Sequence, residues 1–135
     1  MPALSKASQL TSVKPKRKKT ELSLPMLKKK VQRAVNAYIR ERDKDLPCIS
    51  CQKGKVQEAG HFWAQGSSGF LRYHFDNING QCTACNRWKH GNLLEYRLNL
   101  IEKIGVERLD YLDDNRLVVK KWSREELESI LEGLK

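Results

Sequence analysis

Four cysteines stand in two Cys-x-x-Cys pairs, Cys48 with Cys51 and Cys82 with Cys85, and thirty residues separate the pairs. Each such turn offers two thiolates at fixed geometry, and two turns complete the tetrahedron that zinc prefers. No βαβ pattern of the thioredoxin kind surrounds either pair. The N-terminus also lacks the apolar stretch of a secretory signal, so the pattern favours metal over disulfides. A closed four-thiolate site leaves no position for water. The zinc is therefore expected to be scaffold, and hydrolytic chemistry would need a second ion. The remaining residues with chemical capacity lie between the pairs or just after them: His61 behind Gly60, Arg72, His74, Asn77 behind Asp76, Asn86 directly after Cys85, Lys89, and His90 four residues beyond Asn86.

The elements that must position these groups can be read from periodicity. Ser23 and Pro25 mark a helix start, and Leu27, Val31, Ala34, Val35, Tyr38 and Ile39 recur at helical spacing. Lys28, Lys29, Lys30, Arg33 and Arg40 fall largely on its other faces. Asp45-Leu-Pro47 ends that helix and leads into the first cysteine pair. Glu58 to Trp63 reads as a strand, Ala64 to Gly69 as a turn, and Phe70 to Phe75 as the second strand of a hairpin. Asp76 to Gln81 reads as an irregular link. A helix is expected through Leu93, Leu94, Tyr96, Arg97, Leu100, Ile101 and Ile104, ending at Gly105. Val106 to Leu117 reads as short helix or turn, and Leu117 to Val119 as a small strand. Ser123-Arg-Glu-Glu126 is a capping box that opens a last helix. Trp63, Phe70 and Trp88 are expected mainly in the core, with Trp88 a lesser candidate for stacking on DNA.

The formal net charge is +10 over 135 residues. Residues 1–45 hold 13 Lys/Arg against 4 Asp/Glu, while residues 46–135 hold 13 against 12. The excess thus sits at one end, in a segment containing Lys14, Lys16, Arg17, Lys18 and Lys19, which suggests an anionic polymer as partner. Residues 1–20 have no acidic or aromatic residue and are expected to be a disordered arm that lies along phosphates. No apolar run approaches the roughly 20 residues of a membrane span, and the chain is expected to be cytoplasmic.

The order Cys48-x-x-Cys51, Gly60-His61, Asp76-Asn77, Cys82-x-x-Cys85-Asn86, Lys89 resembles the zinc-stapled HNH (ββα-metal) endonucleases. The wording Ala59-Gly-His-Phe62, Arg72-Tyr-His-Phe-Asp76, Gln81-Cys, Cys85-Asn and His90-Gly-Asn92, followed by Tyr96-Arg97, is more specifically similar to the phage lambda NinG (Rap) recombination proteins, over about residues 25–110. The resemblance implies a small α+β domain with a ββα-metal core, a four-cysteine structural zinc and flanking helices. Together with the charge and periodicity above, the chain is expected to divide into a disordered basic tail over 1–20, a basic amphipathic helix over 21–45, a zinc-stapled nuclease core over 46–105 and a helical extension over 106–135. The implied activity is metal-dependent DNA hydrolysis on branched recombination intermediates such as D-loops and four-way junctions, in the cytoplasm of a phage host. His61 takes the place of the general base, Asn77 that of the residue holding its imidazole, and Asn86 that of a metal ligand. His90 is a second ligand candidate on the same helix face. Arg72 and Lys89, with the basic arm, are the expected phosphate contacts. The second ion is expected to be magnesium or manganese if oxygen ligands dominate, or zinc if histidines do. Many HNH enzymes carry an Asp or His ligand where this chain has Gly60, and Glu58, His74, Asp76 and His90 are the substitutes in reach. The competing reading is a non-catalytic, zinc-stabilised DNA-binding module. A zinc adaptor that binds protein fits less well, since the ligands suffice for one closed site only. A homodimer is left open.

Overall fold

The computed structural model describes residues 21–64 and 69–135; the expected basic arm of residues 1–20 lies outside them. Helix α1 (Leu24–Asp43) starts where Ser23 Oγ accepts the Met26 amide. Its stripe Leu27, Val31, Val35 and Ile39 is buried, the i, i+4, i+8, i+12 face that amphipathic spacing requires. Two four-residue strands follow, β1 (Glu58–His61) and β2 (Ile78–Gln81), paired antiparallel with Glu58 opposite Gln81, Gly60 opposite Asn79 and His61 opposite Ile78. Helices α2 (Leu93–Ile104), α3 (Val106–Asp114) and α4 (Arg124–Gly133) complete the described elements. Gly105 separates α2 from α3 at φ +85°, and the Ser123–Glu126 capping box opens α4 as expected.

Two strands cannot form a stable layer alone, and here helices cover them. In one core α1, Tyr73, Ile78 and Leu127 of α4 pack together with Ala59 and Trp122. In the other, Ile49, Phe62 and Leu71 pack on Tyr96 and Leu100 of α2 and on Leu109 and Leu112 of α3. Helices of the 106–135 segment thus enter both cores.

A buried polar chain ties the elements together. The Asp43 carboxylate accepts from Arg42 Nε at 2.8 Å, Lys103 Nζ at 3.0 Å and the Gly80 amide at 2.8 Å. Burial raises its pKa, but these donors outweigh that and hold it below the usual carboxylate value. Lys103 also donates to Asn79 Oδ1 at 2.7 Å, Asn79 Nδ2 donates to the Tyr96 hydroxyl at 3.2 Å, and that hydroxyl donates to the Gly60 carbonyl at 2.7 Å. The residue before His61 is therefore fixed through a relay that begins at the end of α1.

Three expectations are corrected. The partner of β1 is Ile78–Gln81, not Phe70–Phe75. Segment 70–75 folds as successive turns, Arg72 N to Gly69 O at 3.5 Å, His74 N to Leu71 O at 3.2 Å and Asn77 N to His74 O at 3.0 Å, so its alternation reflects turn packing. Leu117–Val119 forms no strand. Trp88 is 78% exposed rather than core, whereas Trp63 and Phe70 do pack against the second core.

Candidate metal centre and adjoining cleft

The first cysteine pair lies in a tight loop closed by Cys48 N to Gly54 O at 2.8 Å, and the Ile49 amide bonds to the Gly80 carbonyl at 2.9 Å. The loop is therefore docked on β2, whose own end carries the second pair. All four sulfurs lie within 4.8 Å of one another, with Cys51 and Cys82 at 3.9 Å. A tetrahedron with bonds of about 2.3 Å to zinc has an edge of about 3.8 Å, so the donors fit one zinc ion. Cys48, Cys82 and Cys85 are buried. Two donors support the sulfurs from outside, the Gly54 amide on Cys51 at 3.3 Å and Asn92 Nδ2 on Cys85 at 3.6 Å. The Gly54 hydrogen bond holds the Cys51 thiol down to about 6, which makes it the thiolate best prepared to meet the metal. Among the described residues, no other group of three or more His, Cys, Asp or Glu side chains is arranged for a metal.

Cys85 itself lies in a π-helical turn, Ala84–Trp88, a form that often accompanies function. It ends with Lys89 N bonded to Ala84 O, and then His90, Gly91 and Asn92 adopt φ of +50°, +89° and +47° before α2 begins. Left-handed backbone at two non-glycine residues is uncommon and worth attention. Asn86 and His90 therefore do not share one helical face, contrary to expectation, because the π-helical turn stops at Trp88 and His90 itself is left-handed. Both nevertheless line the same open cleft of about 370 Å³, together with Gln32 and Asn36 of α1, Gly60 and His61.

His61 Nε2 lies 2.9 Å from the Arg72 carbonyl. A carbonyl only accepts, so Nε2 carries the proton and Nδ1 keeps its lone pair. Burial lowers the His61 pKa, as does the Arg72 charge, against the opposing pull of that hydrogen bond. The ring is thus neutral at pH 7. The Asn77 amide hydrogen-bonds backbone rather than the imidazole. It is fully buried, accepts from the Trp63 amide at 2.9 Å and donates to the carbonyls of Trp63 at 2.9 Å and Leu71 at 3.2 Å. It thereby clamps the segment leaving β1 to the turn that carries Arg72, and so positions the carbonyl that holds His61. Asn86 Nδ2 donates to Glu58 Oε1 at 2.7 Å. Glu58 also accepts from Thr83 and Arg87, and these hydrogen bonds outweigh burial to lower its pKa.

Two of the substitutes for the absent ligand at position 60, Asp76 and His74, are engaged elsewhere. Asp76 is paired with Arg108, and His74 Nδ1 accepts the Asp76 amide while its ring lies 5.6 Å from Tyr111. Arg72 is half-buried, with Nε donating to Gln32 Oε1 at 3.3 Å, while Lys89 is exposed beside the π turn. Gln32 and Asn36 escaped sequence reading, while Gln81 and Tyr96 entered only through the family wording, with no role at the site. The one available signal was Gln32, a polar residue next to Val31 on the apolar face of α1.

The family model described as "Bacteriophage Lambda NinG protein" matches residues 5–135. The chain is 44% identical over 104 residues to "Protein ninG" of Escherichia phage lambda, covering 76% of this chain and 50% of that protein. It is 43% identical over 104 residues to "Protein ninG" of Salmonella phage P22, covering 76% and 51%. The chain spans about half the length of these curated relatives. No solved structure matches.

Proposed function

The chain belongs to the NinG family of phage lambda, and from that premise we propose that it is an HNH-type, metal-dependent DNA endonuclease with a structural zinc in its four cysteines. One observation carries the reading: a neutral imidazole with a free Nδ1, on His61, shares an open cleft with the amide of Asn86. His61 is the general base, taking the proton of the attacking water on Nδ1 while Nε2 stays anchored on Arg72. Asn77 acts through that anchor. Asn86, steered by Glu58, and His90 would hold a divalent ion in the same cleft. When bound, such an ion polarises the phosphate and stabilises the leaving oxygen. No described helix is long and apolar enough to cross a membrane.

DNA approach is supported by charge. Lys29, Arg33 and Arg40 are exposed and fall in the helical row of α1 that runs through cleft-lining Asn36. Lys89 flanks the other side, and Lys14 to Lys19 would add contacts from the arm. Branched substrates are proposed from the recombination role associated with the family.

The zinc-loaded chain, incubated with labelled linear and four-way-junction DNA and Mg²⁺ or Mn²⁺, should cut. His61→Ala should abolish cutting while leaving zinc content and DNA affinity in place. Binding without cutting under either ion, unchanged by His61→Ala, would establish the non-catalytic DNA-binding module instead.

A further inference from the structure

Gly60 occupies the position where many HNH enzymes supply an acidic or histidine ligand, and the cavity beside it is not empty of donors. Glu58, Gly60, Asn79 and Gln81 share one face of the two-stranded sheet. Gln81 is fully buried, and its Nε2 donates to Ser50 Oγ at 2.8 Å and to the Gly91 carbonyl at 2.7 Å. The carbonyl can only accept, so the amide cannot be flipped and Oε1 must point the other way. That oxygen is the one buried side-chain polar atom among the described residues with no hydrogen-bond partner. It lies 1.7 Å from where a Cβ at residue 60 would stand, and Asn86 Oδ1 lies 2.8 Å from the same point. Asn86 is oriented just as firmly, because its Nδ2 faces the Glu58 carboxylate.

Two amide oxygens, each oriented by its own N–H groups at the far end, thus approach one another beside Gly60, and no hydrogen-bond donor reaches the Gln81 oxygen. Their separation cannot exceed the sum of those two distances. Two acceptors this close repel unless something positive lies beside them, since a buried acceptor left unpaired costs on the order of 1–3 kcal/mol. Two oxygens on one hard cation, at bonds of about 2.0–2.6 Å, satisfy both. We propose that Gln81 Oε1 and Asn86 Oδ1 are paired ligands of a hard divalent cation, magnesium or manganese, and that Gly60 is glycine because any side chain there would displace the Gln81 oxygen. The ligand that the chain lacks on β1 is supplied from β2. Use of this ion in hydrolysis rests on the nuclease reading above; its binding does not.

The donor set also dictates how the ion is held. Two neutral amides contribute no charge, and Mg²⁺ with so few protein ligands keeps several waters and recruits phosphate oxygens. The ion therefore binds weakly to the free chain and more tightly with DNA, and by reciprocity DNA binds more tightly with the ion.

Zinc-loaded chain labelled with ¹³C at Gln and Asn side-chain carbonyls, titrated with Mg²⁺, reads ligation directly. The carbonyl resonances of Gln81 and Asn86 should move together along one saturation curve. Non-hydrolysable phosphorothioate DNA should lower the midpoint roughly tenfold. In Gly60→Ala both shifts should vanish with zinc content unchanged. Should Gly60→Ala not fold, Asn86→Ala serves: the Gln81 shift should then need far more Mg²⁺. Movement of Asn86 alone, or of neither resonance at saturating DNA, overturns the proposal. Paired shifts without DNA cutting would keep the ion site and remove the nuclease reading; cutting with a motionless Gln81 resonance would do the reverse.

Discussion

Replacing Tyr96 by Phe tests whether the polar relay behind β1 holds the site. The ring is fully buried and packs 5.3 Å from Phe62, and Phe preserves that volume, so no cavity term arises. What is lost is one hydroxyl that donates to the Gly60 carbonyl at 2.7 Å and accepts from Asn79 Nδ2 at 3.2 Å. Asn79 keeps its second N–H bonded to the Asp76 carbonyl at 3.1 Å, so one N–H and one carbonyl lone pair are stranded. At roughly 1–3 kcal/mol for each stranded group, the loss should be about 3 kcal/mol. At this chain length that lowers Tm by roughly 9–12 °C. Burial pushes the Tyr96 phenol far above its ordinary value of 10.0. A raised folded pKa means that the contribution is complete below pH 10 and fades only above it, so the loss should be equal at pH 7 and pH 9. Urea unfolding of zinc-loaded wild type and variant at both pH values measures it. Tyr111→Phe, at a residue 45% exposed, serves as the control and should change stability by less than about 0.5 kcal/mol. A Tyr96→Phe loss below about 0.5 kcal/mol, or one confined to one pH, would refute the relay as the support of Gly60.

Other outcomes follow from the same geometry. Chelation of the zinc, or Cys85→Ser, should unfold the domain, because an ion worth roughly 10–16 kcal/mol matches or exceeds the whole stability of a small domain, about 5–15 kcal/mol; circular dichroism with and without chelator checks this, and a cooperative melt of the metal-free chain would refute it. Asn77→Ala strands the Trp63 amide and two carbonyls and should cost about 3 kcal/mol, read by urea unfolding, with cleavage falling further than stability because the Arg72 carbonyl loses its support. The acid limb of the cleavage profile should lie below pH 6.5: burial and the Arg72 charge keep His61 neutral, so the base remains competent at pH values where an ordinary histidine is protonated, and a midpoint above 6.5 would count against His61 as base. Deletion of residues 1–20 should make DNA binding less sensitive to salt, by about 0.9 in the log–log slope for each phosphate that the arm neutralises, and an unchanged slope would show that the arm neutralises none.

The parts legible in the sequence are those governed by local rules. The α1 start at Ser23, the stripe from Leu27 to Ile39, the end of α2 at Gly105 and the capping box at Ser123 each depend on a few adjacent residues. The cysteine spacing announced the metal centre for the same reason. β2 was not legible, because Ile78-Asn-Gly-Gln81 has poor strand composition; its polar side chains are buried only because Arg42, Lys103, Tyr96, Ser50 and Gly91 meet them from distant parts of the chain. Phe70 to Phe75 misled for the opposite reason, since alternation of bulky residues is produced equally by consecutive turns. His61 and Asn86 were found through motif order, whereas Gln81 entered only as part of the family wording and shows its role only through an amide locked by residues 31 positions before it and 10 after it.

The backbone at Gly91 joins three parts of the molecule. Its amide donates to the Cys85 carbonyl, and its own carbonyl accepts from Ser50 and Gln81. The path from Cys85 to Leu93 is therefore a spacer of fixed length, with little tolerance for insertion or deletion. One added residue would turn α2 by about 100°, swinging Tyr96 out from under Gly60 and Lys103 away from Asp43. Length variation among working relatives should accordingly collect beyond Asp114, and a natural variant with a longer or shorter spacer should also carry changed residues along the inner side of α2.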